Sequence, residues 1–356
     1  MTSSAIVVVS GSYGAGHDAA AQALTDQLRS AGHRVSRFDL VDELSWRVGR
    51  LLRWLYFAQL RLLPATWGTT LRFLEGDGLL VRAVCQVLAL LGRPLVRRLQ
   101  GADLVISTHP FASQALGAAR AAGRLVAPVV TYLTDASVHR LWVHDHVDLH
   151  LAIHAIAAAQ AEALGGRSVV VEPAVALPAP LRASDWVPPW PAGKPAALVV
   201  GGSCGVGELR ASAMDVLATG LMTPVVVCGT NERLREQVEG VPGLVALGWR
   251  DDMPSLLAGA ACVVQNAGGM TSLESLAAGT PTLTYRPIPG HGLTNARALD
   301  DAGLVPWVPD AAGLEVALMR ILVSGSSVSL PREAPSVVEV MQQRALLLPQ
   351  PALVAA

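Results

Sequence analysis

The chain has 356 residues, with 27 basic and 28 acidic side chains and a formal net charge of −1. That length fits about two domains, each large enough for its own core. A charge so near zero excludes bulk attraction to nucleic acid as the basis of function. The four cysteines, Cys85, Cys204, Cys228 and Cys262, are scattered without zinc spacing. They read as small core residues in a reducing compartment. The chain runs directly into Ile6-Val7-Val8-Val9 without a basic leader, which predicts a first strand rather than a signal peptide. No run reaches the roughly 18 apolar residues of a spanning helix.

Ala5–Val9 predicts a buried strand, Ser10–His17 a Gly-rich turn, Asp18–Ala31 a helix with apolar spacing through Ala21, Leu24 and Leu28, and Arg34–Leu40 a second strand. Together they form a βαβ start. Leu44–Arg61 has helical spacing with leucines on one face and Arg47, Arg50, Trp54, Phe57 and Arg61 on the next. Arginines interleaved with aromatics suit an anionic membrane surface; the same pattern also suits a packed helix with a solvated arginine face. From Arg47 to Arg98 the only acids are Glu75 and Asp77. Asp103–Ser107 and Val129–Leu133 predict further strands, ending in Thr108-His109-Pro110-Phe111 and Thr134-Asp135. In open α/β sheets such strand ends face the ligand crevice. The cluster His144, Asp145, His146 and Asp148 is short and irregular, and no metal is expected there.

Val169–Val171 closes the first half, and a proline-rich linker follows. The pattern then repeats: strand Ala196–Val200, Gly turn Gly201–Gly207 and helix Glu208–Thr219, as two Rossmann-like units require. Strands Pro224–Val227 and Val245–Leu247 end in Cys228-Gly229-Thr230-Asn231 and Gly248-Trp249-Arg250. Ala260–Val264 reads as a buried strand, Asn266–Gly269 as a tight turn and Thr271–Ala278 as a helix with Glu274 in its first turn. Such a turn aims free N–H groups and the positive helix end at an anion. Gly268 and Gly269 allow close approach, and Glu274 can accept two hydrogen bonds from a ribose diol. An ordinary strand–turn–helix unit would look the same. A strand at Thr282–Tyr285 leads to the loop Pro287–Gly292 and a helix Asn295–Ala302; a last helix is expected over Ser336–Ala345.

Asn266-Ala267-Gly268-Gly269-Met270-Thr271 with Glu274, Ala278-Gly279-Thr280-Pro281 and Pro287-Ile288-Pro289-Gly290 resembles the donor-site signature of one glycosyltransferase family. That family holds monogalactosyldiacylglycerol synthases, processive diacylglycerol glucosyltransferases and the lipid-II-forming N-acetylglucosamine transferase. The resemblance implies an α/β chain with the GT-B fold, two Rossmann-like domains whose parallel sheets face across a cleft. It also implies inversion at the anomeric carbon of a UDP-sugar. By the same resemblance, His17 at the first Gly turn is the base for the acceptor hydroxyl, with Asp135 as the other candidate or as its orienter. Gly202, Ser203, Gly229, Trp249, Arg250, Gly268, Gly269, Met270, Thr271 and Glu274 would hold the nucleotide, the uracil being read through the Gly-Trp-Arg backbone. Gly290, His291 and Asn295 would face the sugar. In diacylglycerol-type members Gln-Glu usually follows the Pro-Gly, whereas this chain has His291-Gly292. A carboxylate acceptor is exchanged for an imidazole, and the sugar stays open.

The expected organisation is an acceptor-binding domain over 1–175 with a membrane and acceptor region at 44–100, a linker at 176–195, a UDP-sugar domain over 196–332, and a returning helix and tail over 333–356. The expected function is transfer of a hexose-type sugar from UDP to a lipid-like hydroxyl acceptor at the cytoplasmic membrane face. No cofactor beyond the UDP-sugar co-substrate, no metal and no nucleic acid is expected. A soluble enzyme that glycosylates a hydrophobic metabolite, a UDP-sugar epimerase and a non-catalytic UDP-sugar sensor are the alternatives.

Overall fold

Short runs rich in valine and leucine become two parallel sheets. The computed structural model describes residues 3–11, 15–43, 49, 78–175, 186–266, 268–324 and 334–343. The arginine–aromatic helix expected at 44–61, with Arg47, Arg50, Trp54, Phe57 and Arg61, lies outside them, as do Ala267 and linker residues 176–185.

The first sheet contains β1 Ala5–Ser10, β2 Arg34–Asp39, β3 Leu104–Ser107, β4 Val129–Tyr132, β5 Leu149–Ala152 and β6 Ser168–Val170, in the order β2-β1-β3-β4-β5-β6. The second contains β7 Ala196–Val200, β8 Thr223–Val227, β9 Val245–Leu247, β10 Cys262–Gln265, β11 Thr282–Tyr285 and β12 Trp307–Val308, in the order β12-β11-β10-β7-β8-β9. Every pairing is parallel. Both faces of a parallel sheet are covered, so its central strands are apolar throughout. Ile6 and Val8 face one core cluster, Val7 and Val9 another. In the second sheet Val199 and Leu198 divide between clusters in the same way.

The covering helices of the first half are α1 Ala15–Ser30, α2 Leu79–Leu91, α3 Pro110–Ala121 and α4 Ala155–Ala163. Those of the second are α5 Leu209–Thr219, α6 Glu232–Glu239, α7 Met253–Gly259, α8 Met270–Ala277, α9 His291–Asp301 and α10 Ala311–Ser324. A last helix, α11 Val337–Gln342, starts at Ser336 with a reciprocal capping box to Glu339. Its Val337, Val340 and Met341 pack in the core of the first half, and Glu172 N donates to Pro335 O at 3.0 Å.

Each sheet changes strand direction of travel at one place, and there the ligand crevice opens. In the first sheet it lies between β1 and β3, where Val9 pairs with Ser107. In the second it lies between β7 and β10, where Val200 pairs with Gln265. The turns that follow these four strands therefore emerge side by side: Gly11 beside Thr108-His109, and Gly201–Gly207 beside Asn266–Gly269.

Several expectations change in detail. His17 lies inside the first turn of α1, which begins at Ala15. Glu274 falls in the second turn of α8, because the helix starts at Met270 rather than Thr271. Helix α9 begins at His291, four residues before the expected start. Strands β5 and β12 and helices α2, α3, α4 and α10 go beyond the elements expected from the sequence.

Candidate active site

The Gly201–Gly207 loop turns back on itself because Gly202, Gly205 and Gly207 take φ values of 71°, 51° and 88°. Gly229 is held against it: a Cβ there would lie 2.1 Å from Ser203 O, and Thr230 N donates to the same oxygen at 2.9 Å. Across the crevice Asn266 Nδ2 donates to Val206 O at 2.8 Å, and Ile288 N donates to Asn266 O at 2.9 Å. One asparagine thus ties the glycine loop to the Pro287–Gly290 loop.

Gly268 has φ 73°, and its N–H donates to the Gln265 side chain. That N–H is therefore occupied, contrary to the expectation of a free one. The first N–H groups of α8, on Met270 and Thr271, lack intrahelical partners, as helix starts do. The Met270 side chain packs into the core of the first half, where a Cβ on Gly16 would meet its Cγ at 3.3 Å. Glu274 is partly buried, and none of the described residues bonds its carboxyl, so burial alone pushes its pKa up to about 7.

Trp249 is exposed, and its Nε1 donates to Asp251 at 2.9 Å. Arg250 forms a two-pronged pair with Asp252 at 2.7 and 2.6 Å, and Asp252 also accepts from Trp186 Nε1 at 3.1 Å. The Arg250 side chain thus fixes the turn. Arg286 precedes the Pro287 loop with φ 48°, which is uncommon outside glycine. Its guanidinium is held by Asp215 at 2.8 Å and Glu208 at 2.6 Å.

On the facing side, His17 Nδ1 lies 2.9 Å from Thr108 O and 3.0 Å from Thr134 Oγ1. A carbonyl can only accept, so Nδ1 carries a proton, and in the neutral ring the lone pair is on Nε2. Asp135 does not orient His17. Its Oδ2 accepts from Trp142 Nε1 at 3.3 Å, and its Oδ1 faces Asn295 Nδ2 at 3.5 Å. The residues that hold His17 are Thr108 and Thr134. Only their position at strand ends, Thr134 next to Asp135, signalled them in the sequence.

Burial lowers the pKa of His139 to about 4; Asp135 opposes this, and His291 and His17 add to it. The His139 Nδ1 is buried without a partner among the described residues. His291 is likewise lowered, mainly by burial. His17, Asp135, His139 and His291 therefore share one electrostatic neighbourhood, with His109 against the His17 ring at 4.6 Å. Gly290, with φ 86°, caps the helix that His291 begins. The Oδ1 of Asn295 is taken by Ser137 of the first half. Among the described residues, no group of three or more His, Cys, Asp or Glu side chains could hold a metal. His144 and His146 stack edge to face at 5.7 Å, while Asp148 pairs with Arg120 at 2.8 Å.

Two Rossmann-like halves, with glycine turns at the switch point of the second and His17 beside that of the first, have the architecture of a GT-B glycosyltransferase. MurG of Acinetobacter baumannii superposes with a TM-score of 0.54 at 17% identity, covering 96% of this chain and 99% of that one. The glycosyltransferase SnogD of Streptomyces nogalater gives 0.52 at 18%, covering 98% and 100%. Residues 17–173 match the model of the monogalactosyldiacylglycerol (MGDG) synthase family. A processive diacylglycerol beta-glucosyltransferase of Bacillus cereus is 23% identical over 368 residues, spanning 94% of this chain and 92% of its own. The corresponding Bacillus mycoides protein is 24% identical over 326 residues, spanning 86% and 82%. These matches support the GT-B lipid glycosyltransferase family for this chain.

Proposed function

We propose that the protein transfers a hexose-type sugar from a UDP-sugar to the hydroxyl of a lipid acceptor of the diacylglycerol class, with inversion at the anomeric carbon. The observation that carries this reading is the pairing across the cleft of an oriented His17 with the Gly269–Glu274 helix start. His17 Nε2 removes the acceptor hydroxyl proton. The oxygen attacks the anomeric carbon, the bond from that carbon to the phosphate oxygen breaks, and UDP leaves with the electron pair. The start of α8 meets the charge that develops on the diphosphate, a role in which a helix dipole replaces a metal ion. Glu274 accepts from the ribose diol, the Gly248–Arg250 backbone meets the uracil, and Gly290 and His291 face the sugar.

Among the described residues no helix is long and apolar enough to cross a membrane. The proposed site of action is peripheral, on the cytoplasmic face, with the 44–61 arginines and aromatics holding the enzyme to the surface. The diacylglycerol-type relatives support the lipid acceptor. The decisive assay incubates the purified enzyme with a panel of UDP-sugars and diacylglycerol in anionic vesicles, with glycolipid and UDP read by mass spectrometry. Stoichiometric glycolipid and UDP are expected. UDP-sugar interconversion without an acceptor would indicate an epimerase, and binding without turnover a sensor; either overturns the proposal.

A further inference from the structure

Asn295 is fully buried on α9, five residues after the Pro-Gly that closes the sugar loop. Its Oδ1 accepts from Ser137 N at 2.8 Å and from Ser137 Oγ at 2.7 Å. The neighbouring Thr294 Oγ1 lies 3.0 Å from the same Ser137 Oγ. On its other side, Asn295 Nδ2 faces Asp135 Oδ1 at 3.5 Å, while Trp142 holds the second Asp135 oxygen. One amide of the second half thus grips both a main-chain N–H and a carboxylate of the first. The approach leaves no room for a side chain at 268, where a Cβ would come within 2.8 Å of Asn295 Cβ. Apolar contacts flank the grip, with Ala136 packed on Leu276, Ala298 and Leu299.

We propose that Asn295 is a positioning residue, a latch that joins the donor-sugar loop to the 134–138 loop and sets the Asp135 carboxylate in the cleft. A partly desolvated carboxylate needs hydrogen-bond donors to hold one orientation. Asp135 has one in Trp142 and the other, longer, in Asn295. The titratable groups around it are His139 on its own loop, His291 at the start of α9 and His17 on α1. With the latch made, Asp135 and His291 meet across the cleft; with it broken, the α9 start and the 134–138 loop move independently. What the latch means for turnover rests on the transfer reading above. The latch itself is a property of the protein alone.

The test uses the full-length protein and three variants. Hydrogen-exchange mass spectrometry follows the peptide containing Ser137, calorimetry gives UDP affinity, and the glycolipid assay gives kcat. Asn295→Ala should lose protection at Ser137 and lower kcat about 10- to 100-fold, with UDP affinity within about twofold of wild type. Ser137→Ala keeps the backbone bond and should cost no more than a few-fold. Asn295→Asp keeps an acceptor for Ser137 but sets a second carboxylate beside Asp135. Two adjacent carboxylates share a proton more readily as pH falls. The kcat deficit of Asn295→Asp should therefore be larger at pH 8 than at pH 6, which a merely structural asparagine would not give. The latch is overturned if Asn295→Ala keeps wild-type protection, or keeps kcat within about threefold. It is also overturned if UDP affinity falls in step with kcat, or if the Asn295→Asp deficit is the same at both pH values. A wild type that neither binds UDP nor makes glycolipid would sink the transfer reading, and the exchange measurement would still score the latch.

Discussion

Replacing Glu274 by glutamine should make the protein more stable and a worse UDP binder. Burial lifts the Glu274 carboxyl from 4.5 to about 7, a difference of roughly 2.5. At 1.36 kcal/mol per pKa unit this is about 3 kcal/mol, or about 2 once the part of the side chain still reached by solvent is discounted. The folded pKa lies above the unfolded one, so folding favours the protonated form. The penalty is absent below pH 4.5, grows as pH rises toward 7 and is complete above it. Glu274→Gln should accordingly match the wild-type thermal midpoint near pH 4.5 and exceed it by several degrees at pH 8. Its UDP affinity should fall by roughly 10- to 100-fold, the loss of a charged hydrogen-bond acceptor. Wild-type UDP affinity should be higher at pH 8 than at pH 6, and that dependence should vanish in the variant. Thermal unfolding and calorimetry at both pH values measure all of this. A variant no more stable than wild type at pH 8 would refute the uncompensated carboxylate, and unchanged UDP affinity would refute the ribose contact.

His17→Ala should reduce turnover by about 10²–10⁴, the usual worth of a general base, while calorimetry shows nearly unchanged UDP binding; a joint loss of both would make His17 part of the donor site. Gly229→Ala should abolish most UDP affinity, because its Cβ would meet the Ser203 carbonyl at 2.1 Å and φ is 57° there; normal affinity would show that the Gly201–Gly207 loop is free to shift. Replacing Arg47, Arg50 and Arg61 together with glutamine should release the protein from anionic vesicles, each arginine contributing about 1 kcal/mol. High salt should release wild type in the same co-sedimentation assay. Wild type that ignores such vesicles at low salt would favour a soluble acceptor.

The double Rossmann pattern was legible because each half opens on an apolar run, Ala5–Val9 and Ala196–Val200, that leads into a glycine-rich turn. What stayed hidden has physical reasons. Strand β5, Leu149–Ala152, carries a fully buried His150 that breaks its apolar run. Helix α3 opens on Pro110 at its first position with His109 Nδ1 accepting from Phe111 N at 3.2 Å, so a residue pair that reads as a break is in fact a helix start. His154 caps α4 in the same way through Ala157 N at 3.2 Å. Histidines are unusual caps, so neither helix start carries the usual Ser, Thr, Asp or Asn signal. Candidate donor-site residues could be named from their turns. The partners of Asp135 and Asn295 could not, because they meet across 160 positions of sequence.

Met270 and Leu273 of α8 lie in the same apolar cluster as Leu24, Ile106 and Tyr132 of the first half. This shared packing limits how such enzymes can be recombined. A chimera that takes its donor half from another glycosyltransferase must fit two apolar side chains into the retained acceptor half, and must meet its glycine at position 16, before its cleft can form. Exchange of halves to alter donor choice would succeed first among sequences that match at these three positions, whatever their agreement in the loops that touch the sugar.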